Sequence, residues 1–225
     1  MEPLPRQFIE FALQSGVLKF GDFTMKSGRR SPYFFNAGLF SRGSTFARLS
    51  HFYAQALLAA RAVGRIQFDM LFGPAYKGIT LAAGTAMALA DLGVDVPFAF
   101  NRKEAKGHGE GGLLVGAELV GRVLIVDDVI TDGAAKRESV ELIRAQGATP
   151  CGVLIALDRC ERTGADGALS SVSAVSAFEQ SFGIPVIAVA TLDDLMQFME
   201  SDSVDAAALQ PYRQAMVDYR RRYGV

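Results

Sequence analysis

The segment over residues 123–135 reads VLIVDDVITDGAA and predicts a buried strand, a short turn and the start of a helix. Its first four residues are apolar without polar alternation, which is typical of a strand covered on both faces of a parallel sheet. Asp127 and Asp128 follow directly, and a turn containing Gly133 leads into the helical pattern. Backbone N–H groups at a helix start lack partners and attract anions, so the turn suits a phosphate group. The two carboxylates beside it suit the hydroxyl groups of a sugar phosphate or a hydrated Mg²⁺.

Strands and helices alternate in the same way along most of the chain. Apolar runs predict buried strands at residues 70–72, 96–100, 123–126, 152–157 and 185–190. Helical patterns lie between most of these runs, at residues 79–92, 134–146 and 172–182. This alternation predicts an α/β fold whose mainly parallel central sheet is flanked by helices, with ligands at the carboxyl ends of the strands. Elsewhere the patterns predict a helix over 5–14, a hairpin over 23–36, a helix over 46–63 and two helices within 192–223.

Length and composition limit the classes of protein. The chain has 225 residues, which favours a single domain over 1–225. With 23 Lys and Arg against 24 Asp and Glu, its net charge of −1 argues against the basic surface that nucleic-acid or membrane binding requires. Two cysteines, Cys151 and Cys160, are too few for a disulfide framework, and the N terminus lacks a signal-peptide pattern. We therefore expect a cytoplasmic protein without nucleic-acid or membrane partners.

A run of cations follows another predicted strand. Residues 98–112 read FAFNRKEAKGHGEGG, in which Arg102, Lys103, Lys106 and His108 lead into a series of glycines. Cations of this kind can surround a diphosphate, whose negative charge grows as the bond that holds it breaks. The glycines give the composition of a lid that closes over a site. Taken alone, such a segment is more often a solvated surface loop.

Residues 72–79, FGPAYKGI, predict a second turn from strand to helix. Tyr76 and Lys77 lie in this turn, beside the start of the predicted helix. Helix N–H donors and a lysine at one turn are compatible with a diphosphate. A buried turn with a surface lysine has the same pattern.

The predicted hairpin and the end of a later strand carry candidates for binding a planar group. Phe34 and Phe35 lie just beyond Pro32, where an aromatic face can stack on a base or pack against a core. Lys26 lies in the same hairpin, and Arg159, which follows the strand over 152–157, offers a planar fork of donors. The residues alone leave open whether the hairpin binds a base or only packs.

The acidic segment resembles the PRPP-binding motif of type I phosphoribosyltransferases, where PRPP is 5-phosphoribosyl 1-diphosphate. Further stretches resemble the orotate phosphoribosyltransferases within that family: RKEAKGHGEGG over 102–112, GPAYKGI over 73–79, FTMKSGR and SPYFF over 23–35, and LDR over 157–159. The resemblance implies a type I phosphoribosyltransferase fold with a small N-terminal hood over about residues 1–40. It also implies transfer of ribose 5-phosphate from PRPP to orotate, giving orotidine 5′-phosphate and diphosphate, in pyrimidine biosynthesis.

The resemblance implies roles for individual residues. Asp127 and Asp128 hold the ribose hydroxyls, directly or around Mg²⁺, which PRPP and water hold for the most part. The 5′-phosphate lies against the turn formed by Val129, Ile130, Thr131, Asp132, Gly133, Ala134 and Ala135. The further contacts with PRPP are Lys26, Tyr76, Lys77, Arg102, Lys103, Lys106 and His108. The contacts with orotate are Lys26, Phe34, Phe35, Thr131 and Arg159.

The resemblance also implies a homodimer, in which the loop from Arg102 to Gly112 closes over the neighbouring subunit's site. Lys103 then acts within its own subunit, while Arg102, Lys106 and His108 reach across. The expected catalytic residues are Lys103, Lys106 and the two aspartates, with the strongest effect of the loop at Lys106.

Two positions depart from the commonest form of the PRPP motif. Asp132 stands where many members have a small residue, and Ala134 stands where many have a hydroxyl residue. Because a carboxylate repels a phosphate, we expect Asp132 to point to solvent while backbone donors hold the phosphate.

Two other functions stay open at this point. One is a phosphoribosyltransferase for another base, against which the hairpin residues and Arg159 argue. The other is a non-catalytic regulator that senses PRPP. The four cations of the glycine-rich segment and the near-zero net charge argue against such a regulator.

Overall fold

The computed structural model describes residues 1–25, 28–106, 112–131, 133–164 and 168–225, with the backbone alone at 105, 106 and 112. Near the N terminus, β1 (Leu18–Thr24) and β2 (Arg30–Phe35) pair as an antiparallel hairpin, here called the hood hairpin. A second sheet is formed by β3 (Met70–Gly73), β4 (Phe98–Lys106), β5 (Gly112–Gly116), β6 (Arg122–Val126), β7 (Thr149–Asp158) and β8 (Val186–Thr191).

The helices are placed between and after these strands. They are α1 (Pro3–Gln14), α2 (Gly43–Ala62), α3 (Lys77–Asp91), α4 (Ala134–Ala145), α5 (Ala174–Phe182), α6 (Leu192–Met199), α7 (Val204–Ala208) and α8 (Arg213–Tyr223). Short 3-10 turns lie at Ala37–Leu39 and Gln210–Tyr212. Within the described residues, none of the helices has both the length and the apolar character needed to cross a membrane.

Strand β6 lies inside the larger sheet, whose order is β5-β4-β3-β6-β7-β8. Its neighbours β3 and β7 both run parallel to it, and among the described strands of this sheet the antiparallel pair is β4 with β5. Leu124 and Val126 pack in one hydrophobic core, and Val123 and Ile125 pack in the other. Because successive side chains of a strand point to opposite faces, both faces of β6 are covered, as its unbroken apolar run predicts.

The predicted architecture is present, with differences at three places. All five predicted strands of the sheet are found, as β3, β4, β6, β7 and β8, and the predicted hairpin begins earlier, at Leu18. The prediction of two helices in the tail is wrong, because the described chain forms α6, α7 and α8 there, with a 3-10 turn between the last two. Pro211 in that turn lacks a backbone donor, which favours a break in the helical pattern.

The bounds of the predicted loop over residues 102–112 are also wrong. Residues 102–106 continue β4, and Gly112 begins β5, which the sequence patterns did not predict. Antiparallel pairing of Phe100 with Val115 and of Asn101 with Leu114 supports this extension. Arg102 and Lys103 therefore project from a strand, while residues 107–111 lie outside the described part of the chain.

Candidate active site

Asp127 and Asp128 lie at the carboxyl end of β6, and each is only 7% exposed. The backbone remains paired with β7 beyond the strand, since Asp127 N–H donates to the Leu154 carbonyl at 3.0 Å and Ala156 N–H donates to the Asp128 carbonyl at 2.9 Å. The Tyr53 hydroxyl of α2 donates to the Asp127 carbonyl at 2.9 Å. These bonds hold the two carboxylates at one edge of the sheet, as predicted for ligand-binding residues of a parallel sheet.

A buried lysine that the sequence reasoning missed pairs with Asp127. Lys136 Nζ lies 2.5 Å from Asp127 Oδ2 and donates to the Val129 carbonyl at 2.6 Å. Burial raises the pKa of Asp127 above its ordinary value, and the Lys136 ammonium opposes that rise. A signal was present, since Lys136 shares the buried face of α4 with Ser139, Val140 and Ile143, at helical spacing.

A second lysine, which the sequence did predict for this site, pairs with Asp128. Lys77 Nζ of α3 lies 2.6 Å from Asp128 Oδ2, and the Lys77 side chain is 52% exposed. Asp128 Oδ1 accepts a hydrogen bond from the Val129 N–H at 3.0 Å. The β3–α3 turn and the β6–α4 turn are thus joined by an ion pair that is open to solvent on the lysine side.

Two glycines let the β3–α3 turn approach β6. A Cβ on Gly78 would lie 2.8 Å from the Val126 carbonyl oxygen, and one on Gly73 would overlap the backbone of Gly78. No side chain larger than hydrogen fits at such distances without a backbone shift. The contact fixes the position of Lys77 relative to the acidic pair. The Ala75–Tyr76 peptide bond in this turn is cis.

The turn between Asp128 and α4 is the segment predicted to bind an anion. Gly133 adopts a φ of +74°, which is open to glycine, and immediately precedes α4. The first turn of α4 carries no acidic residue that would compete with an anion for the N–H groups. Thr131 and Ala135 are exposed, Val129 and Ala134 are half-buried, and Ile130 is buried. The prediction that Asp132 points to solvent falls outside the described residues.

Strand β4 and the β3–α3 turn enclose a cleft of about 340 Å³. The Asn101 side-chain oxygen accepts from Ala75 N–H at 2.9 Å, which ties the two walls together. Lys103 Nζ lies 5.4 Å from the centroid of the exposed Tyr76 ring. Arg102 lines the same cleft. The structure thus brings the predicted PRPP contacts Tyr76, Lys103 and Arg102 together, whereas the Lys106 side chain, His108 and Lys26 lie outside the described part.

Phe34 and Phe35 lie on opposite faces of the hood hairpin. The Phe34 ring packs on Phe23 with centroids 5.5 Å apart, and the Phe35 ring packs on Phe8 of α1 at 6.3 Å. Successive side chains of a strand alternate, so the two rings do not form one continuous platform. Their predicted contact with a base stays a prediction.

Arg159 follows β7 directly, at the same edge of the sheet as the acidic pair. Its Nη2 lies 2.8 Å from Glu161 Oε1, and its Nε donates to the Tyr33 hydroxyl at 3.2 Å. The sequence predicted Arg159 but not these partners, which come from β2 and from the segment after β7.

A family model described as the phosphoribosyl transferase domain matches residues 46–185 of the chain. An orotate phosphoribosyltransferase of Herminiimonas arsenicoxydans is 59% identical over 225 residues, which cover 100% of both chains. The chain belongs to the orotate phosphoribosyltransferase family.

Other members of the orotate phosphoribosyltransferase family agree with this assignment. The Cupriavidus necator enzyme is 56% identical over 222 residues, covering 99% of this chain and 95% of the relative. The crystal structure of the Francisella tularensis orotate phosphoribosyltransferase matches with a TM-score of 0.83 at 40% identity, covering 97% of this chain and 100% of that one. The predicted family, the type I phosphoribosyltransferase fold and the prediction of a transferase enzyme are confirmed. The roles of single residues stay predictions.

Proposed function

We propose that this enzyme transfers the 5-phosphoribosyl group of PRPP to orotate, in pyrimidine biosynthesis. In this reaction the bond from C1′ to the diphosphate oxygen breaks, a bond from C1′ to N1 of orotate forms, and diphosphate leaves. The observation that carries the proposal is the buried acidic pair of β6, with a lysine on each carboxylate and a helix N terminus beside it. The full-length similarity to orotate phosphoribosyltransferases supports orotate as the base.

Mg²⁺ fits this site as an ion held mainly by the diphosphate and water. Each oxygen of the two carboxylates already accepts one hydrogen bond, from Lys136, Lys77 or a backbone N–H, and a carboxylate oxygen can accept a second contact. Mg²⁺ is commonly held through one or two carboxylates together with substrate phosphates. We propose Asp127 and Asp128 as the residues beside the ion. When bound, Mg²⁺ neutralises the charge on the leaving diphosphate.

The residues of the chain bind and orient the two substrates. The carboxylates of Asp127 and Asp128 accept hydrogen bonds from the ribose hydroxyls, and the backbone from Thr131 into α4 holds the 5′-phosphate. Lys77, Tyr76, Arg102 and Lys103 surround the diphosphate, whose negative charge grows as the C1′–O bond lengthens. Fixed cations that face developing charge lower the barrier. Alignment of N1 with C1′ contributes further, because bound reactants no longer have to find each other.

We also propose the remaining parts of the assignment. Orotate is bound by Lys26, Phe34, Phe35, Thr131 and Arg159, and the segment carrying Lys106 and His108 closes over the site of the partner in a homodimer. All 225 residues act as one domain, which is supported by a core shared by Phe8 of α1 and Tyr223 of α8. A cytoplasmic location agrees with the free thiols of both cysteines.

The test is the consumption of orotate, followed by its absorbance, after PRPP and Mg²⁺ are added to the purified protein. We expect orotate to disappear in proportion to the diphosphate released, with no reaction when PRPP is left out. Uracil, adenine and hypoxanthine serve as alternative bases in the same assay. Diphosphate release with one of these bases and not with orotate contradicts the choice of base, and no release with any base contradicts the catalytic function.

A further inference from the structure

Glu161 joins three parts of the chain that are far apart in sequence: the hood hairpin, its own segment after β7, and α8. Its Oε1 accepts hydrogen bonds from the Tyr33 hydroxyl of the hood hairpin and from the Tyr219 hydroxyl of α8, each at 3.0 Å. The same oxygen lies 2.8 Å from Arg159 Nη2, and Oε2 lies 3.9 Å from Arg29 Nη1. The carboxylate is therefore the common acceptor of a largely buried polar cluster.

The hydroxyls of Tyr33 and Tyr219 each accept one hydrogen bond and donate another in this cluster. Each accepts a hydrogen bond from Arg159, at 3.2 Å from Nε and at 3.3 Å from Nη2, and each donates to Glu161. Burial raises the pKa of Tyr219 to about 12 and raises that of Tyr33 well above its ordinary value. Both hydroxyls therefore stay protonated at neutral pH and can donate, so the guanidinium of Arg159 is held on one side by three oxygens.

The other side of that guanidinium is available. Among the described residues, none accepts a hydrogen bond from Arg159 Nη1. Buried side-chain atoms without a partner do occur in this part of the chain, but Nη1 is not among them, so this nitrogen is not fully buried. The balance of charge also favours a ligand at Nη1, since the two largely buried arginines, Arg29 and Arg159, share the single carboxylate of Glu161. Buried charges require compensation, so the cluster favours a further anionic oxygen.

We infer that Glu161 is a positioning residue for base recognition, which holds Arg159 directly at Nη2 and through the Tyr33 hydroxyl at Nε, so that Nη1 meets an oxygen of orotate. The inference rests on the proposed function, in which Arg159 contacts orotate. Through Tyr219, it also makes α8 part of the base site, although α8 lies 54 or more residues beyond Arg159 along the chain. A guanidinium fixed before binding loses less conformational freedom when the ligand arrives.

The test measures kcat and KM for both substrates in Tyr219→Phe and Glu161→Gln. Tyr219→Phe removes one hydroxyl from the cluster, and Glu161→Gln removes its charge at nearly constant shape. We expect the KM for orotate to rise by about tenfold in each, because a hydrogen bond to a charged group is lost or weakened. The KM for PRPP should stay within about twofold, because the acidic pair and Lys77 are untouched. Asp218→Asn is the matched control, since Asp218 lies on an exposed part of the same helix.

Arg159→Lys separates the inference from the proposed function. An unchanged KM for orotate in Arg159→Lys means that the proposed contact itself fails. A raised KM in Arg159→Lys, with no change in Tyr219→Phe and Glu161→Gln, overturns the positioning role alone. If instead both KM values rise together with a loss of thermal stability, the cluster is only structural, and the inference is overturned as well.

Discussion

Asp127 and Asp128 are neighbours in sequence and each pairs with a lysine, yet their surroundings differ. The Asp127–Lys136 pair is buried on both sides, with side chains 10% and 8% exposed. In the Asp128–Lys77 pair the carboxylate is also buried, with a side chain 11% exposed, but the lysine is 52% exposed. Loss of the Asp127 charge would leave the buried Lys136 ammonium uncompensated, whereas loss of the Asp128 charge would leave Lys77, which water can solvate. The difference indicates that Asp127 anchors the end of β6, while Asp128 and Lys77 remain free to exchange partners when a substrate binds.

The largest expected effect is on stability, in Asp127→Asn. This variant leaves the Lys136 ammonium buried without an anionic partner, which costs about 3–5 kcal/mol. We expect a loss of that size in the free energy of unfolding, measured by urea denaturation. The double variant Asp127→Asn, Lys136→Met should recover much of the loss, since no charge stays buried. If the double variant loses as much free energy of unfolding as Asp127→Asn and Lys136→Met lose in sum, the two side chains are not coupled.

Asp128→Asn should separate activity from stability. We expect kcat/KM to fall about 100-fold, equivalent to about 2.7 kcal/mol, because one of the two carboxylates that we propose to face the sugar and Mg²⁺ loses its charge. The free energy of unfolding should change by less than about 1 kcal/mol, because the Lys77 ammonium that loses its partner is on a half-exposed side chain and is solvated by water. Steady-state kinetics and urea denaturation measure the two quantities on the same preparation. A stability loss equal to that of Asp127→Asn would remove the distinction between the carboxylates.

Lys77→Met should have a smaller effect, confined to one substrate. We expect the KM for PRPP to rise about tenfold, equivalent to about 1.4 kcal/mol, since one of the cations proposed to surround the diphosphate is lost. The KM for orotate should be little changed. Lys77→Arg is the matched control, because it keeps the charge and should retain most of the affinity for PRPP. Equal effects of the two substitutions would mean that charge is not what Lys77 supplies.

The smallest effect should be the response of the two pairs to salt. The Debye length falls from about 10 Å at about 0.1 M salt to about 3 Å at about 1 M, and it screens exposed charges most. Double-mutant cycles at both concentrations measure the coupling within each pair. We expect the Asp128–Lys77 coupling to fall by a few tenths of a kcal/mol and the Asp127–Lys136 coupling to stay constant. A decrease in the buried pair alone would contradict the assignment of the two environments.

Local patterns predicted the parts of the site that are formed by one stretch of chain. The apolar run of β6, the two aspartates after it and the turn before α4 are all contiguous, so their sequence shows them directly. The pairing of Lys136 with Asp127 depends on how α4 packs against the sheet. Only its place on the buried face of the helix gave a signal. Glu161 and its tyrosine partners come from three distant segments, which no local pattern connects.

The errors in the fold have two different physical causes. The extension of β4 and the whole of β5 arise from pairing between two segments, and the polar residues from Arg102 to Lys106 show no alternation that predicts a strand. Tertiary pairing overrides intrinsic preference in such cases. The error in the C-terminal tail has a different cause, because the sequence there does contain local signals for the helix ends. Ser203 accepts from Ala206 N–H to begin α7, and Pro211 interrupts the helical pattern before α8.

The close approach of Gly78 to Val126 indicates which parts of the site can accept new side chains and which cannot. The floor of the site, which consists of the β3–α3 turn and β6, is joined backbone to backbone, and neither Gly73 nor Gly78 accepts a side chain there. The hood hairpin forms a sheet of its own and, within the described residues, shares no strand pairing with the floor. Directed evolution toward another base should therefore find its accepted substitutions in the hairpin and around Arg159, while the floor resists change.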